Sequence, residues 1–294
     1  MDKLTEFLDR NPFILGDGAM GTMLQAAGLT TGGAPEEWSV TRPEVLTGIY
    51  RSYVDAGSQV ITTNTFGGTR FRLARENMEA HVREFNLAGA ELAREVADAA
   101  DREVLVAGDI GPSGEIMAPL GILTPEDARS AFAEQAAALA EGGVDFFLIE
   151  TMSALDEIEA AIEGIRSASS LPIAVTMTFD THFRTMMGVK PVQALEALHG
   201  WGIRAIGANC GNGPDEIERV IGEMAAVKPV DVYLVAQSNA GLPKYQDKKI
   251  SYDGTPEVMA GYALKMKALG ISYIGACCGS TPAHIAAMRE ALAG

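Results

Sequence analysis

Short apolar runs alternate with longer segments of helical composition along this chain, and the alternation repeats eight times. The apolar runs fall at 13–15, 59–63, 104–107, 145–149, 172–178, 205–208, 232–236 and 273–275. They are continuous rather than alternating, the pattern of parallel strands buried on both faces. The helical segments follow at 43–56, 69–100, 125–141, 154–167, 191–201, 214–227, 256–269 and 282–292. Three of them open on Thr124-Pro125, Thr255-Pro256 and Thr281-Pro282. Threonine satisfies an orphan amide at such a start, and proline at the first helical position loses nothing by lacking an N–H. Gly142-Gly143 and Gly270 stand where two helices should stop. Eight strand–helix pairs in 294 residues predict an α/β chain folded as a single (β/α)8 barrel over residues 1–294. A doubly wound sheet is the alternative. No Pro/Gly/Ser linker, low-complexity run or close repeat divides the chain.

In such a barrel, chemistry gathers on the loops at the C-terminal strand ends. The residues there are Gly16-Asp17-Gly18, Asn64-Thr65-Phe66, Asp109-Ile110-Gly111, Glu150-Thr151, Phe179-Asp180, Asn209-Cys210-Gly211, Ser238-Asn239-Ala240 and Ala276-Cys277-Cys278-Gly279. The set holds all three cysteines of the chain. Cys210 follows the sixth strand and Cys277-Cys278 the eighth, so a closed barrel brings them together across 66 intervening residues. Three thiolates hold Zn2+ and leave its fourth tetrahedral position for a substrate. A buried Cys210 packing as a small hydrophobe, beside an inert or oxidisable vicinal pair, is the other reading. Glycines after Cys210 and Cys278 permit the tight turns of a ligand loop.

The charge narrows the partners. The chain carries 23 Lys and Arg against 39 Asp and Glu, a net charge of −16, which argues against nucleic acid and anionic membrane surfaces. No apolar run reaches the roughly 18 residues of a membrane span. An odd count of three cysteines is no disulfide framework, and the acidic N-terminus is no signal peptide, so the expected location is cytoplasmic.

Gly16-Asp17-Gly18-Ala19-Met20-Gly21 matches G-x-G-x-x-G, with Glu36 and Glu37 about twenty residues on. A nicotinamide enzyme is one reading, although Asp17 would face the pyrophosphate with like charge. Amides of a glycine-rich turn equally bind a smaller anion such as an amino-acid carboxylate. With Asp17 and Glu150 for its ammonium, a zwitterionic amino acid would then be held at both ends. His81, His182, His199 and His284 form no ligand pair at helical spacing, and His284 reads as a helix-capping or surface residue. Neither a G-x-S-x-G elbow nor a Walker loop occurs.

GDGAMGTMLQ (16–25), TNTFGGTR (63–70), GDIGPSGE (108–115), IETMS (149–153), TFDTHFRTMMG (178–188), GANCGNGP (207–214), SNAG (238–241) and GACCGSTPAHI (275–285) together resemble the zinc-dependent homocysteine S-methyltransferase family. The likeness covers nearly the whole chain in order. It is nearest to the homocysteine-binding module of cobalamin-dependent methionine synthases rather than to betaine-dependent enzymes. The resemblance implies a (β/α)8 barrel in which Cys210, Cys277 and Cys278 ligate zinc. It implies that a homocysteine carboxylate meets amides around Gly18 and Ala19 while its ammonium meets Asp17 and Glu150. Asn64 is placed in the same pocket, and Asn239 where a fourth oxygen ligand can stand in for the absent substrate sulfur. The implied reaction moves a methyl group to the homocysteine thiol, giving methionine. At 294 residues there is no room beside the barrel for folate, cobalamin and reactivation modules. The expected donor is therefore methylcobalamin on a separate corrinoid protein, with S-methylmethionine or a betaine as the alternative. A non-catalytic zinc- and thiol-binding partner of a corrinoid protein is the reading from another class.

Overall fold

A computed structural model of the chain describes residues 2–30, 33–246 and 249–294. Eight parallel strands form the expected barrel: β1 (Ile14–Leu15), β2 (Val60–Thr62), β3 (Leu105–Ile110), β4 (Phe146–Met152), β5 (Ile173–Met177), β6 (Ala205–Cys210), β7 (Tyr233–Ser238) and β8 (Tyr273–Ala276). Backbone ladders run continuously from β2 through β3 to β8 and on to β1. Among the described residues only the seam between β1 and β2 lacks a ladder, and one backbone bond and several side-chain bonds stitch it. The Gln59 N–H donates to Leu15 O at 2.7 Å and the Leu15 N–H to Gln59 Oε1 at 3.1 Å. Above them the Asp17 carboxylate accepts from Thr62 N–H at 2.7 Å and Thr62 Oγ1 at 3.0 Å.

The strands are buried on both faces, which is why they read as unbroken apolar runs. One set of side chains fills the barrel, with Ile14, Val60, Leu105, Phe146, Leu148 and Val235 in one cluster. The other set, including Ile61, Val106, Phe147, Ile149 and Val175, packs outward against the helices. The bottom of the barrel is closed by helix Lys3–Arg10, whose Leu4, Phe7 and Leu8 join the interior cluster. Asp2 starts that helix, its carboxylate accepting from Thr5 N–H at 2.9 Å.

Helices Pro43–Ala56 and Pro125–Glu141 take their expected bounds, and Thr124 caps the second by accepting from Asp127 N–H. Helix Pro282–Ala293 is capped from its third residue: His284 Nδ1 accepts from Thr281 N–H at 3.0 Å, and Nε2–H donates to Gly254 O at 2.9 Å. The segment 69–100 is not the single helix that its composition suggests. It breaks into Arg70–Leu73 and two 3-10 turns before helix Val82–Asp98, because Asn77 adopts a left-handed backbone with φ 58°. Asparagine tolerates that conformation and so ends a helix where composition alone would continue it. Helix Met20–Ala26 and the hairpin of Lys244–Gln246 with Lys249–Ser251 are additions with no counterpart in the expected elements. Among the described residues, no helix is long and apolar enough to cross a membrane.

Candidate active site

The C-terminal mouth of the barrel gathers the thiols. Cys210 ends β6, and Cys277-Cys278 follow β8 directly. Their sulfurs lie within 4.8 Å of one another, Cys210 Sγ being 2.8 Å from Cys277 Sγ and 4.0 Å from Cys278 Sγ. The loop that carries the pair is fixed on three sides. The Cys277 N–H donates to Ser238 O at 2.7 Å, the Ala240 N–H to Cys278 O at 2.9 Å, and the Gly279 N–H to Thr22 Oγ1 at 3.0 Å. Cys210 itself has φ 60°, a left-handed backbone that a non-glycine residue seldom takes.

Three cysteines with no disulfide among them are a soft donor set suited to zinc. Zn–S bonds of about 2.3 Å in a tetrahedron place sulfurs about 3.8 Å apart. The 4.0 Å separation of Cys210 and Cys278 is close to that edge, and the 2.8 Å separation of Cys210 and Cys277 would widen by about 1 Å. Hydrogen bonds from Cys210 first, and then from Cys277, lower the pKa of Cys278, so the cluster already stabilises one thiolate. Asn239, 4% exposed, donates its Nδ2–H to Gly211 O at 2.6 Å while its buried Oδ1 accepts from nothing among the described residues. The residues present therefore fit a metal.

Beside the sulfurs a cavity of about 540 Å3 opens to the mouth. Its size is that of a small-molecule site. Asp17, Glu36, Asp109 and Glu150 line it together with Asn64, Thr151, Gln237 and the three cysteines. Burial pushes Asp17 up to about 7 despite its hydrogen bonds from Thr62. Glu150 is pushed up to about 8 by burial, and then by the charges of Cys278 and Asp17. Burial also raises Asp109 well above the usual carboxylate range, with Glu150, Asp17 and Glu36 adding to the effect.

All the residues expected at the site, apart from Asn239, border this cavity. Besides Asp17, which is bonded to Thr62, two of them are already engaged. The Ala19 N–H donates to Ser280 Oγ at 3.0 Å, which leaves the Gly18 amide as the nearer donor for an anion. Asn64 donates its Nδ2–H to Pro35 O at 2.7 Å and so ties down the segment that forms one cavity wall. The G-x-G-x-x-G match has a packing explanation. A Cβ on Gly16 would come within 2.5 Å of the Tyr273 ring, and one on Gly18 within 2.5 Å of Ser280 Oγ. Glu36 accepts from Gly67 N–H at 2.6 Å, closing the cavity wall rather than holding a ribose.

Asn209, next to Cys210 in sequence, carries a role that no motif spelled out. Its Oδ1 accepts from Thr151 N–H and Thr176 Oγ1, both at 2.9 Å, and its Nδ2–H donates to Thr151 Oγ1 at 2.7 Å. It lies 3.9 Å from Cys277 Sγ. Position alone was the available signal: in register with Gln237 on β7, Asn209 points into the top of the barrel. Asp109 was visible as a strand-end acid within GDIGPSGE, with no role attached to it.

The model of the family described as homocysteine S-methyltransferase matches residues 14–292. The chain belongs to this family. It is 35% identical to methionine synthase of Mycobacterium tuberculosis and 34% identical to that of Mycobacterium leprae, in both cases over 95% of its own length. It spans about a quarter of those relatives, 24% of each. Among solved structures it resembles the homocysteine methyltransferase MmuM of Escherichia coli. The oxidized form superposes with a TM-score of 0.82 at 24% identity, covering 99% of each chain. The metallated form gives 0.81 at 25% identity, covering 98% of this chain and 99% of that one.

Proposed function

We propose that this member of the family is a zinc-dependent enzyme that methylates the thiol of homocysteine to give methionine. The observation that carries the reading is one cavity lined both by three convergent cysteine sulfurs and by the acids Asp17, Asp109 and Glu150. Cys210, Cys277 and Cys278 would hold Zn2+, with Asn239 Oδ1 as a further oxygen donor in the substrate-free protein. The metal supplies Lewis acidity that keeps a substrate thiol deprotonated at neutral pH. The chain's own residues then orient the amino acid. The Gly18 amide and its neighbours receive the carboxylate, the acids at Asp17 and Glu150 receive the ammonium, and Asn64 holds the wall against them. No proton has to reach a side-chain base, because the nucleophile is the thiolate itself.

For the donor we infer methylcobalamin carried by a corrinoid protein that docks on the mouth. The likeness to methionine synthases supports it, and so does an apolar rim. Ile116, Leu120 and Ile122 after β3, and Met186 and Met187 after β5, are exposed around the same mouth as the cavity. A small sulfonium or quaternary-ammonium donor is the second reading, favoured by the excess of acids in the lining, where Asp17, Glu36, Glu76, Asp109 and Glu150 outnumber Arg72 and Arg75. Metal analysis and X-ray absorption with and without L-homocysteine test the acceptor side: zinc at one per chain, with three sulfur neighbours rising to four, is expected. Absence of zinc binding, or a sulfur count indifferent to homocysteine, would refute it. Methyl transfer from S-methylmethionine or betaine, with none from a methylated corrinoid protein, would select the second donor.

A further inference from the structure

The acids of the cavity are not equivalent, and the difference assigns a role to one of them to which the resemblance attached none. Both oxygens of Asp17 accept from Thr62 and close the β1–β2 seam. Glu36 is held by the Gly67 amide and offset by Arg72. Asp109 has neither kind of partner. It is 6% exposed and lines the cavity, yet its carboxylate accepts no hydrogen bond from the described residues, and Oδ1 is fully buried and unpaired. Its backbone, by contrast, is fixed: the N–H donates to Thr63 Oγ1 at 2.9 Å, and the carbonyl accepts from Thr65 Oγ1 at 2.8 Å. Glu150 likewise accepts nothing from the described residues, and it sits on the adjacent strand β4, where Ile149 pairs with Ile110. Besides burial, the largest influences on Asp109 are the acids Glu150, Asp17 and Glu36.

A buried carboxyl without a donor costs stability and calls for an explanation. Such a carboxyl, with the half-buried Glu150 on the neighbouring strand facing the same cavity, is complementary to a primary ammonium, whose three N–H groups need acceptors and whose charge offsets theirs. We infer that Asp109 is a further, specificity-determining acceptor for the ammonium of the amino-acid substrate, adding to Glu150 and to Asp17, which also clamps the barrel seam. The inference rests on the homocysteine reading above and deepens it. A thiol that lacks the amine is then discriminated against at Asp109 and not at the cysteines.

The test compares L-homocysteine with 4-mercaptobutanoate, the same thiol acid without the amine, by titration calorimetry on the zinc-loaded wild type and on Asp109→Asn. The isosteric amide keeps the shape and removes the charge. Asp109→Asn should bind homocysteine about 10- to 100-fold more weakly, as expected for loss of a charged hydrogen bond, and should bind 4-mercaptobutanoate within about twofold of wild type. Because the Asp109 carboxylate bonds to nothing among the described residues, the variant should melt at or above the wild-type temperature. Undiminished homocysteine affinity, or equal loss on both thiols, overturns the role of Asp109 while leaving the homocysteine reading intact. A wild type that binds neither thiol refutes that reading, and the inference with it.

Discussion

Cys210 and Thr151 both hold a left-handed backbone, φ 60° in each case, at the ends of their strands. Such a conformation costs a non-glycine residue on the order of 1–3 kcal/mol and persists only where neighbours over-determine it. Asn209 is that neighbour, since it takes both the N–H and the hydroxyl of Thr151 and stands behind Cys277. Asn209→Ala should therefore loosen the metal cluster without removing a ligand. A loss of about 10- to 100-fold in zinc affinity is expected, as for other residues that orient ligands, measured by chelator competition. Unchanged affinity would deny Asn209 this role. Cys277→Ser acts differently, replacing a soft donor with a hard one, and should abolish stoichiometric zinc binding while leaving the far-UV circular dichroism unchanged. Asp17→Ala belongs to a third class: it orphans the Thr62 N–H at the seam and should cost about 1–3 kcal/mol in urea denaturation.

The elements differ in how plainly the chain declares them. The eight barrel strands were readable because burial on both faces leaves an unbroken apolar run, and seven of the eight following helices because caps and glycines mark their ends. Helix Lys3–Arg10 escaped that reading because it is short and mostly polar, with only Leu4, Phe7 and Leu8 buried. Its purpose is visible only once the barrel has a bottom to close. The Lys244–Ser251 hairpin has no alternating apolar face to announce it. At the site the cysteines were legible as residues, because the strand ends they follow are legible. The distinction between Asp17 and Asp109 was not, since it depends on which carboxylate the seam consumes. The plug carries its own prediction: Phe7→Ala, at a position 3% exposed inside the barrel, should cost about 3–5 kcal/mol in chemical denaturation. A loss below about 1 kcal/mol would mean that the helix is an ornament on a barrel closed without it.

At the scale of the molecule, the buried acids and the net charge of −16 push stability the same way with pH, and they can be separated. Asp17 and Glu150 ionise near 3.8 and 4.5 when free of the fold, and near 7 and 8 within it, chiefly through burial. Between those values the folded metal-free chain holds more protons than the unfolded one. Its stability therefore falls as pH rises from about 4 to about 8, and the favourable contribution is complete only below the unfolded values. Repulsion among surface acids also grows over this range, but added salt screens it, whereas buried groups are screened far less. Melting of the metal-free protein between pH 5 and 8 should show a downward slope that survives 0.5 M salt, on the order of a Debye length of a few ångströms. Asp109→Asn removes one of the carboxyls whose ionisation burial disfavours and should flatten that slope. L-homocysteine should flatten it too, because an ammonium favours the ionised acids that burial disfavours. A stability that rises with pH across this window in high salt would mean that the acids are solvated, and that the cavity has no cation to wait for.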